Sequence, residues 1–199
     1  MNQDLHSRSL LDTENKTGIY DKWADTYEDY VKSLGYNGPE NVSKYFYNLY
    51  LNKFKNNEKL NILDFGCGTG LLGLNLSNIF NKNINIIGVD ISNNMIEKAN
   101  SKGIYKNIIN LNLLELSNEE IKSKLGTFDY IISCGVFLEG HVPFSIIDKL
   151  KNIVKYNIII TVRESYILDK NKEFNKYIKD YIQEDIDYLN DVSCKLILI

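Results

Sequence analysis

What this chain has little of narrows it quickly. With 2 prolines and 12 glycines in 199 residues, and no low-complexity tract, it offers no linker, so one domain spanning 1–199 is expected. Its three cysteines, Cys67, Cys134 and Cys194, lie far apart with no paired spacing. That excludes a zinc-type cluster and a disulfide framework, predicts no metal, and suits a reducing compartment. The first twenty residues carry no apolar core, so no secretory signal is read there. No apolar run reaches bilayer length. A soluble, cytoplasmic protein without membrane contact is the expectation. A net charge of −3 gives no broad basic field to collect phosphate backbones, which argues against a nucleic-acid partner and leaves a small-molecule substrate. Nothing in the composition distinguishes monomer from homodimer.

What is present is alternation. Residues 1–16 are polar and are expected to be flexible. Tyr20, Trp23, Ala24, Tyr27, Val31 and Leu34 recur by threes and fours as one helical face, stopped near Gly35. Pro39 suits the first turn of a second helix. From there strands are predicted at Leu60–Phe65, Ile84–Asp90, Ile108–Leu113, Phe128–Cys134 and Ile158–Val162, with helices between them. Ser92 is a candidate cap for the helix carrying Met95, Ile96 and Ala99. A last amphipathic helix is expected to carry Phe174, Ile178, Tyr181, Ile182, Ile186 and Leu189, before a sixth strand at Lys195–Ile199. Such alternation predicts an α/β fold, a doubly wound, mostly parallel sheet of six to seven strands with helices on both faces. Ligands bind such sheets beyond the carboxyl ends of the strands.

The stretch Ile62–Gly73, "ILDFGCGTGLLG", carries the chemistry. A buried strand reaches Asp64, then turns through Gly66, Gly68 and Gly70 into a leucine-rich helix. Two templates compete for it. Gly68, Gly70 and Gly73 with Asp90 match a dinucleotide fingerprint, which would make an NAD-dependent oxidoreductase. The registration argues otherwise, because Asp64 and Gly66 break the apolar run before Gly68. A carboxylate beside pyrophosphate is unfavourable, whereas Asp64 suits the ammonium of a cationic sulfonium amino acid, S-adenosylmethionine. Asp90, ending the second strand, can accept both hydroxyls of a ribose. Ile91 and Met95 can sandwich adenine, or Met95 is core. Asn112 and Leu113 can meet the adenine edge, or Asn112 caps the next loop.

Methyl transfer needs alignment more than a dedicated acid or base. His141 and Glu139, just past the fourth strand, are nevertheless candidate catalytic residues, with capping or packing as the plainer alternative. Arg163 and Glu164 offer an anion contact or a surface ion pair. His6 reads as idle. Cys67 reads as a small residue inside the turn, with no nucleophilic role.

Together "ILDFGCGTG", "GVDISNNMIEKA" and "FDYIISCGVFLEGHVP" resemble three motifs of class I S-adenosylmethionine-dependent methyltransferases. The chain is more closely similar to the Williams–Beuren syndrome region methyltransferase-like family, through "YDKWADTYEDYV", "LGYNGP", "GIY", "GHVP" and "TVRE". The resemblance implies a Rossmann-like fold with S-adenosylmethionine as cofactor and S-adenosylhomocysteine as product. It implies that Asp64, Gly66, Cys67, Gly68 and Gly70 line the methionine portion and that Cys134 and Gly135 sit near the sulfonium. It implies too that helices within 17–56, with Tyr20, Trp23 and Tyr27, fold over the cofactor. Two departures stand out. Lys155-Tyr156-Asn157 replaces the family's Pro-Gly-Gly, and the chain stops where the family continues, so its last strand is expected to be missing or trimmed. A cofactor-binding module without transferase activity stays open beside the enzyme.

Overall fold

The structure is a computed structural model and describes residues 1–11, 15–53, 59–81 and 83–199. Four helices come first: α1 (Asn2–Ser9), α2 (Lys16–Trp23), α3 (Tyr27–Ser33) and α4 (Gly38–Lys53). Strands and helices then alternate as β1 (Leu60–Phe65), α5 (Leu71–Ile79), β2 (Ile84–Asp90), α6 (Asn93–Ser101) and β3 (Asn107–Asn110). After these come α7 (Asn118–Leu125), β4 (Phe128–Phe137), α8 (Ile146–Lys151) and β5 (Val154–Arg163). The chain continues through α9 (Glu164–Asp169), α10 (Asn171–Tyr177), β6 (Ile182–Asp185) and β7 (Cys194–Leu198).

One seven-stranded sheet runs in the order β3-β2-β1-β4-β5-β7-β6. Every pairing is parallel except those of β7, which is antiparallel to both β5 and β6. The period-2 alternation of strand side chains sorts the core into two layers. Leu63, Ile131, Ile160 and Ile197 face one layer, with Ile121, Ile147 and Phe174 from α7, α8 and α10. Ile62, Ile132, Ile159 and Leu196 face the other, with Phe46 from α4 and Leu72 and Leu76 from α5. This is the doubly wound, Rossmann-like arrangement expected of the alternation. Strand order reverses between β1 and β4, and the register aligns Asp64 with Gly88 and Ile132, and Asp90 with Asn110, so the carboxyl ends sit level.

Several expectations are corrected. Asn2–Ser9 is helical, with Leu5 and Ser9 buried, where a flexible tail is expected. The single helix expected over Tyr20–Leu34 breaks into α2 and α3 at residues 24–26. The third strand ends at Asn110, the fourth runs on to Phe137, and the fifth starts at Val154. The last expected helix stops at Tyr177. Asp180 takes φ +51°, a left-handed conformation that aspartate tolerates, and the chain turns there into β6. With β7 that strand makes two past β5, where the sequence predicts one, at Lys195–Ile199. The expected cap region 17–56 runs in part into residues 54–56, which lie outside the described residues. No helix among the described residues is long and apolar enough to cross a membrane.

Candidate functional site

At the switch point, the ends of β1, β2 and β4 open onto a cavity of about 290 Å³. Its floor is the turn after β1, and two glycines make that turn possible. Gly66 takes φ +72°, and a methyl group there would stand 2.3 Å from Val136 Cγ2. Gly68 takes φ +51° with nothing within 4 Å of where a side chain would go, on the wall of the cavity. The amides of the turn point into the protein. Gly66 and Cys67 both donate to the Val89 carbonyl, at 2.8 and 3.1 Å, and Gly70 donates to the Cys67 carbonyl at 2.8 Å. Gly68 donates to Asp90 Oδ2, also at 2.8 Å. Gly70 itself does not line the cavity. It starts α5, and a side chain there would crowd Ala99 and Tyr105 at 3.1 Å.

Two carboxylates flank this floor. Asp64, 1% exposed at the end of β1, accepts from the Tyr105 hydroxyl at 2.6 Å. Burial pushes its carboxyl up to about 7, with the charge of Asp90 adding and the Tyr105 hydrogen bond opposing. Asp90 ends β2 with both oxygens oriented by backbone, Oδ2 by Gly68 and Oδ1 by Ser92 at 2.9 Å. Burial raises its carboxyl too, against those backbone hydrogen bonds.

Beyond Asp90, Ile91, Met95, Asn112 and Leu113 line the same cavity. Met95 is 2% exposed and also packs with Trp23, so it serves both as wall and as core. Asn112 does cap the turn at Leu113–Glu115, accepting from the Leu114 amide and donating to Glu115. Ser92 caps α6 and donates to Asp21 of α2 at 2.6 Å, which ties the N-terminal helices to the site.

The far wall holds Cys134, Gly135, His141 and the rings of Tyr20 and Tyr27. His141 Nδ1 lies 2.8 Å from the Glu139 carbonyl, which can only accept, so that nitrogen carries the proton. Nε2 therefore accepts from the Tyr20 hydroxyl at 2.6 Å. Burial drops His141 to about 4. The imidazole is neutral and both its nitrogens are engaged. Burial pushes Tyr20 and Cys134 up to about 12 each, and Tyr27 still higher. Glu139 lies off the cavity, 3.7 Å from Arg163 Nη1. Trp23 is also off it, buried with Leu5, Ile19 and Met95. Glu164 pairs with Lys195 at 3.7 Å. His6, read as idle, touches the Tyr30 hydroxyl at 3.2 Å, and its ring lies tilted 5.8 Å from that of Trp23.

Sequence reasoning passed over three wall or support residues. Tyr105 holds Asp64 from 41 positions away, Tyr36 lines the cavity and meets Cys134 Sγ at 3.4 Å, and Asp21 anchors the cap. Tyr36 and Tyr105 lie in the quoted stretches "LGYNGP" and "GIY", yet only the folded chain gives them partners.

The comparisons with known proteins fit this geometry. A family model described as a methyltransferase domain matches residues 56–196. Human methyltransferase-like protein 27 is 32% identical over 144 residues, covering 72% of this chain and 56% of that protein. An uncharacterised protein of Rickettsia prowazekii is 32% identical over 50% of this chain and 40% of its own length. The chain thus spans about half the length of the curated relatives it matches. Among solved structures, the plantazolicin methyltransferase BpumL in complex with SAH covers 99% of this chain and 96% of its own, at a TM-score of 0.58 and 17% identity. A SAM-dependent methyltransferase from Aquifex aeolicus covers 93% and 98%, at 0.56 and 17%. These structural likenesses carry the fold, and the family model, reaching from before β1 into β7, carries the kinship: the chain belongs to the methyltransferase-domain family.

Proposed function

We propose that this protein is an S-adenosylmethionine-dependent methyltransferase acting on a small-molecule acceptor. One observation carries the choice of cofactor. The amides of Gly66, Cys67, Gly68 and Gly70 are already hydrogen-bonded within the protein, and two buried carboxylates flank the turn. A dinucleotide pyrophosphate needs such amides turned outward and no anions beside them. A cation with a ribose diol needs the opposite, and that is what the cavity offers. The open face of Gly68 leaves room for a ligand against the backbone.

When bound, the cofactor supplies a methyl group activated by its sulfonium. Asp90 would accept the ribose hydroxyls while its backbone hydrogen bonds keep it oriented, and ionised Asp64 would hold the ammonium. Gly66, Cys67 and Gly68 would lie along the methionine portion. Ile91, Met95, Asn112 and Leu113 would enclose the adenine. Cys134, Gly135, Tyr20 and Tyr27 would close the reacting side and keep water from it. His141, proton-free at Nε2 and bonded to Tyr20, positions that ring rather than taking a proton. Glu139 lies off the wall, beside Arg163. The three cysteines are free, which fits a reducing, cytoplasmic setting.

Calorimetric titration tests this reading. S-adenosylhomocysteine is expected to bind one site per chain, with Asp90→Ala weakening it about tenfold to a hundredfold, the value of charge-assisted hydrogen bonds. NAD+ binding in its place would overturn the proposal. Release of S-adenosylhomocysteine in the presence of a metabolite extract separates an enzyme from a silent binding module.

A further inference from the structure

Behind the main cavity lies a second compartment of about 50 Å³. Four residues line both, Tyr20, Tyr27, Tyr36 and Gly135, so the two meet across one aromatic partition. Half of its lining residues carry rings, yet two of them carry buried donors that have no acceptor among the described residues: the indole N–H of Trp23, which is 2% exposed, and Nε–H of Arg163. Arg163 Nη1 stands 3.7 Å from Glu139 Oε2, too long for a hydrogen bond, and that carboxylate oxygen is itself buried with no partner among the described residues. Three of the five phenol groups of the wall are engaged elsewhere, Tyr20 with His141, Tyr30 with His6 and Tyr36 with Cys134. Buried donors are strongly disfavoured without acceptors, so this wall calls for an oxygen from a ligand.

The partition itself also lacks a free base, and the imidazole on the back compartment's wall, His6, meets the Tyr30 hydroxyl through Nδ1. His141 has both nitrogens occupied, and burial holds the tyrosines and Cys134 protonated at neutral pH. A protonated nucleophile would need such a base.

We propose that the back compartment is the acceptor subsite, that it takes the carboxylate of a small organic acid on Arg163 and Trp23, and that the attacking atom of that acid arrives with its lone pair free. This deepens the methyltransferase reading and rests on it. The acceptor's lone pair forms the bond to the methyl carbon as the carbon–sulfur bond breaks and its electron pair stays on sulfur, so the protein moves no proton. A compact monoanion fits better than a phosphate dianion, since the compartment is small and Glu139 stands beside Arg163.

Trp23 is the only tryptophan, so its emission reports on this compartment. The 199-residue chain is titrated with acetate and benzoate, with benzamide and inorganic phosphate as controls, each with S-adenosylhomocysteine present and its own binding measured by calorimetry. Saturable emission changes are expected from a carboxylate, with benzamide and phosphate at least about tenfold weaker. Arg163→Gln is expected to weaken the carboxylate at least about tenfold while S-adenosylhomocysteine affinity, which also reports folding, is unchanged. If S-adenosylhomocysteine binds but neither carboxylate does, or benzamide equals benzoate, or Arg163→Gln titrates like the parent, the acceptor subsite is wrong. Should Arg163→Gln fail to fold, the benzamide and phosphate arms decide the question. If S-adenosylhomocysteine fails to bind the parent chain, the methyltransferase reading falls first and takes the subsite with it.

Discussion

Asp64 is a carboxyl buried at a cost to the fold. Burial holds its folded value near 7, above an ordinary carboxylate, so its contribution to stability is full below about pH 4 and is lost as pH rises through 7. Asp64→Asn removes that loss. The variant should be more stable than the parent at pH 8 by up to about 4 kcal/mol, with the gain shrinking at pH 5, as read by urea melts. The parent's affinity for S-adenosylhomocysteine should fall below pH 7 as Asp64 takes up its proton, by up to about tenfold per unit, and the variant should bind weakly with no such slope. The two turn glycines separate fold from function in another way. Gly66→Ala meets both a left-handed φ and Val136, and should lose about 2–4 kcal/mol of stability together with binding. Gly68→Ala meets only the φ, about 1–2 kcal/mol, yet puts a methyl into the cavity, so binding should suffer more than stability. Equal losses of stability in the two variants would contradict this account of the turn.

At the scale of elements, α1 is the clearest case of structure the sequence does not announce. Eight residues form no stable helix alone, and this one has a single buried apolar side chain, Leu5, and no stripe to read. It is held by its neighbours, Trp23 and Ile19 beneath Leu5, and Thr26 donating to Asn2 at 2.7 Å. Leu5→Ala should therefore loosen α1 locally. Hydrogen exchange in residues 2–9 should rise at least about tenfold while the sheet amides keep their protection, because detachment of one helix limits the loss. A uniform drop across the sheet would mean that α1 belongs to the central folding unit. The stretch 178–189 misleads in the opposite sense. Phe174, Ile178, Tyr181 and Ile182 keep helical spacing, but Ile182 is 59% exposed in β6, where pairing with β7 decides the conformation. Strand pairing draws on partners elsewhere in the chain, and no local period encodes it. The Ser92 cap and α7 from Asn118 to Leu125 are legible because each is fixed by neighbours within a few residues.

For the whole molecule, the sheet was readable because parallel strands buried on both faces leave continuous apolar runs, and the site was readable where those runs end in Asp64 and Asp90. The residues of the far wall are named through the family resemblance and His141 through its place past the fourth strand, but the contacts that join them were not legible. The hydrogen bond between Tyr20 and His141 spans 121 positions, that between Tyr105 and Asp64 spans 41, and no spacing rule links either pair. Spacing thus identifies the half of the cavity made by strand ends, whereas Tyr20 and Tyr27 of the N-terminal helices are named only through the resemblance and find their partners in three dimensions. The central claim is that this assembled cavity holds S-adenosylmethionine. A crystal structure grown with saturating S-adenosylhomocysteine tests it most directly. The account predicts both ribose hydroxyls on Asp90 and the amino group at Asp64, beside the open face of Gly68. A ligand placed elsewhere, or an adenosine ring system lying away from Ile91 and Leu113, would contradict it.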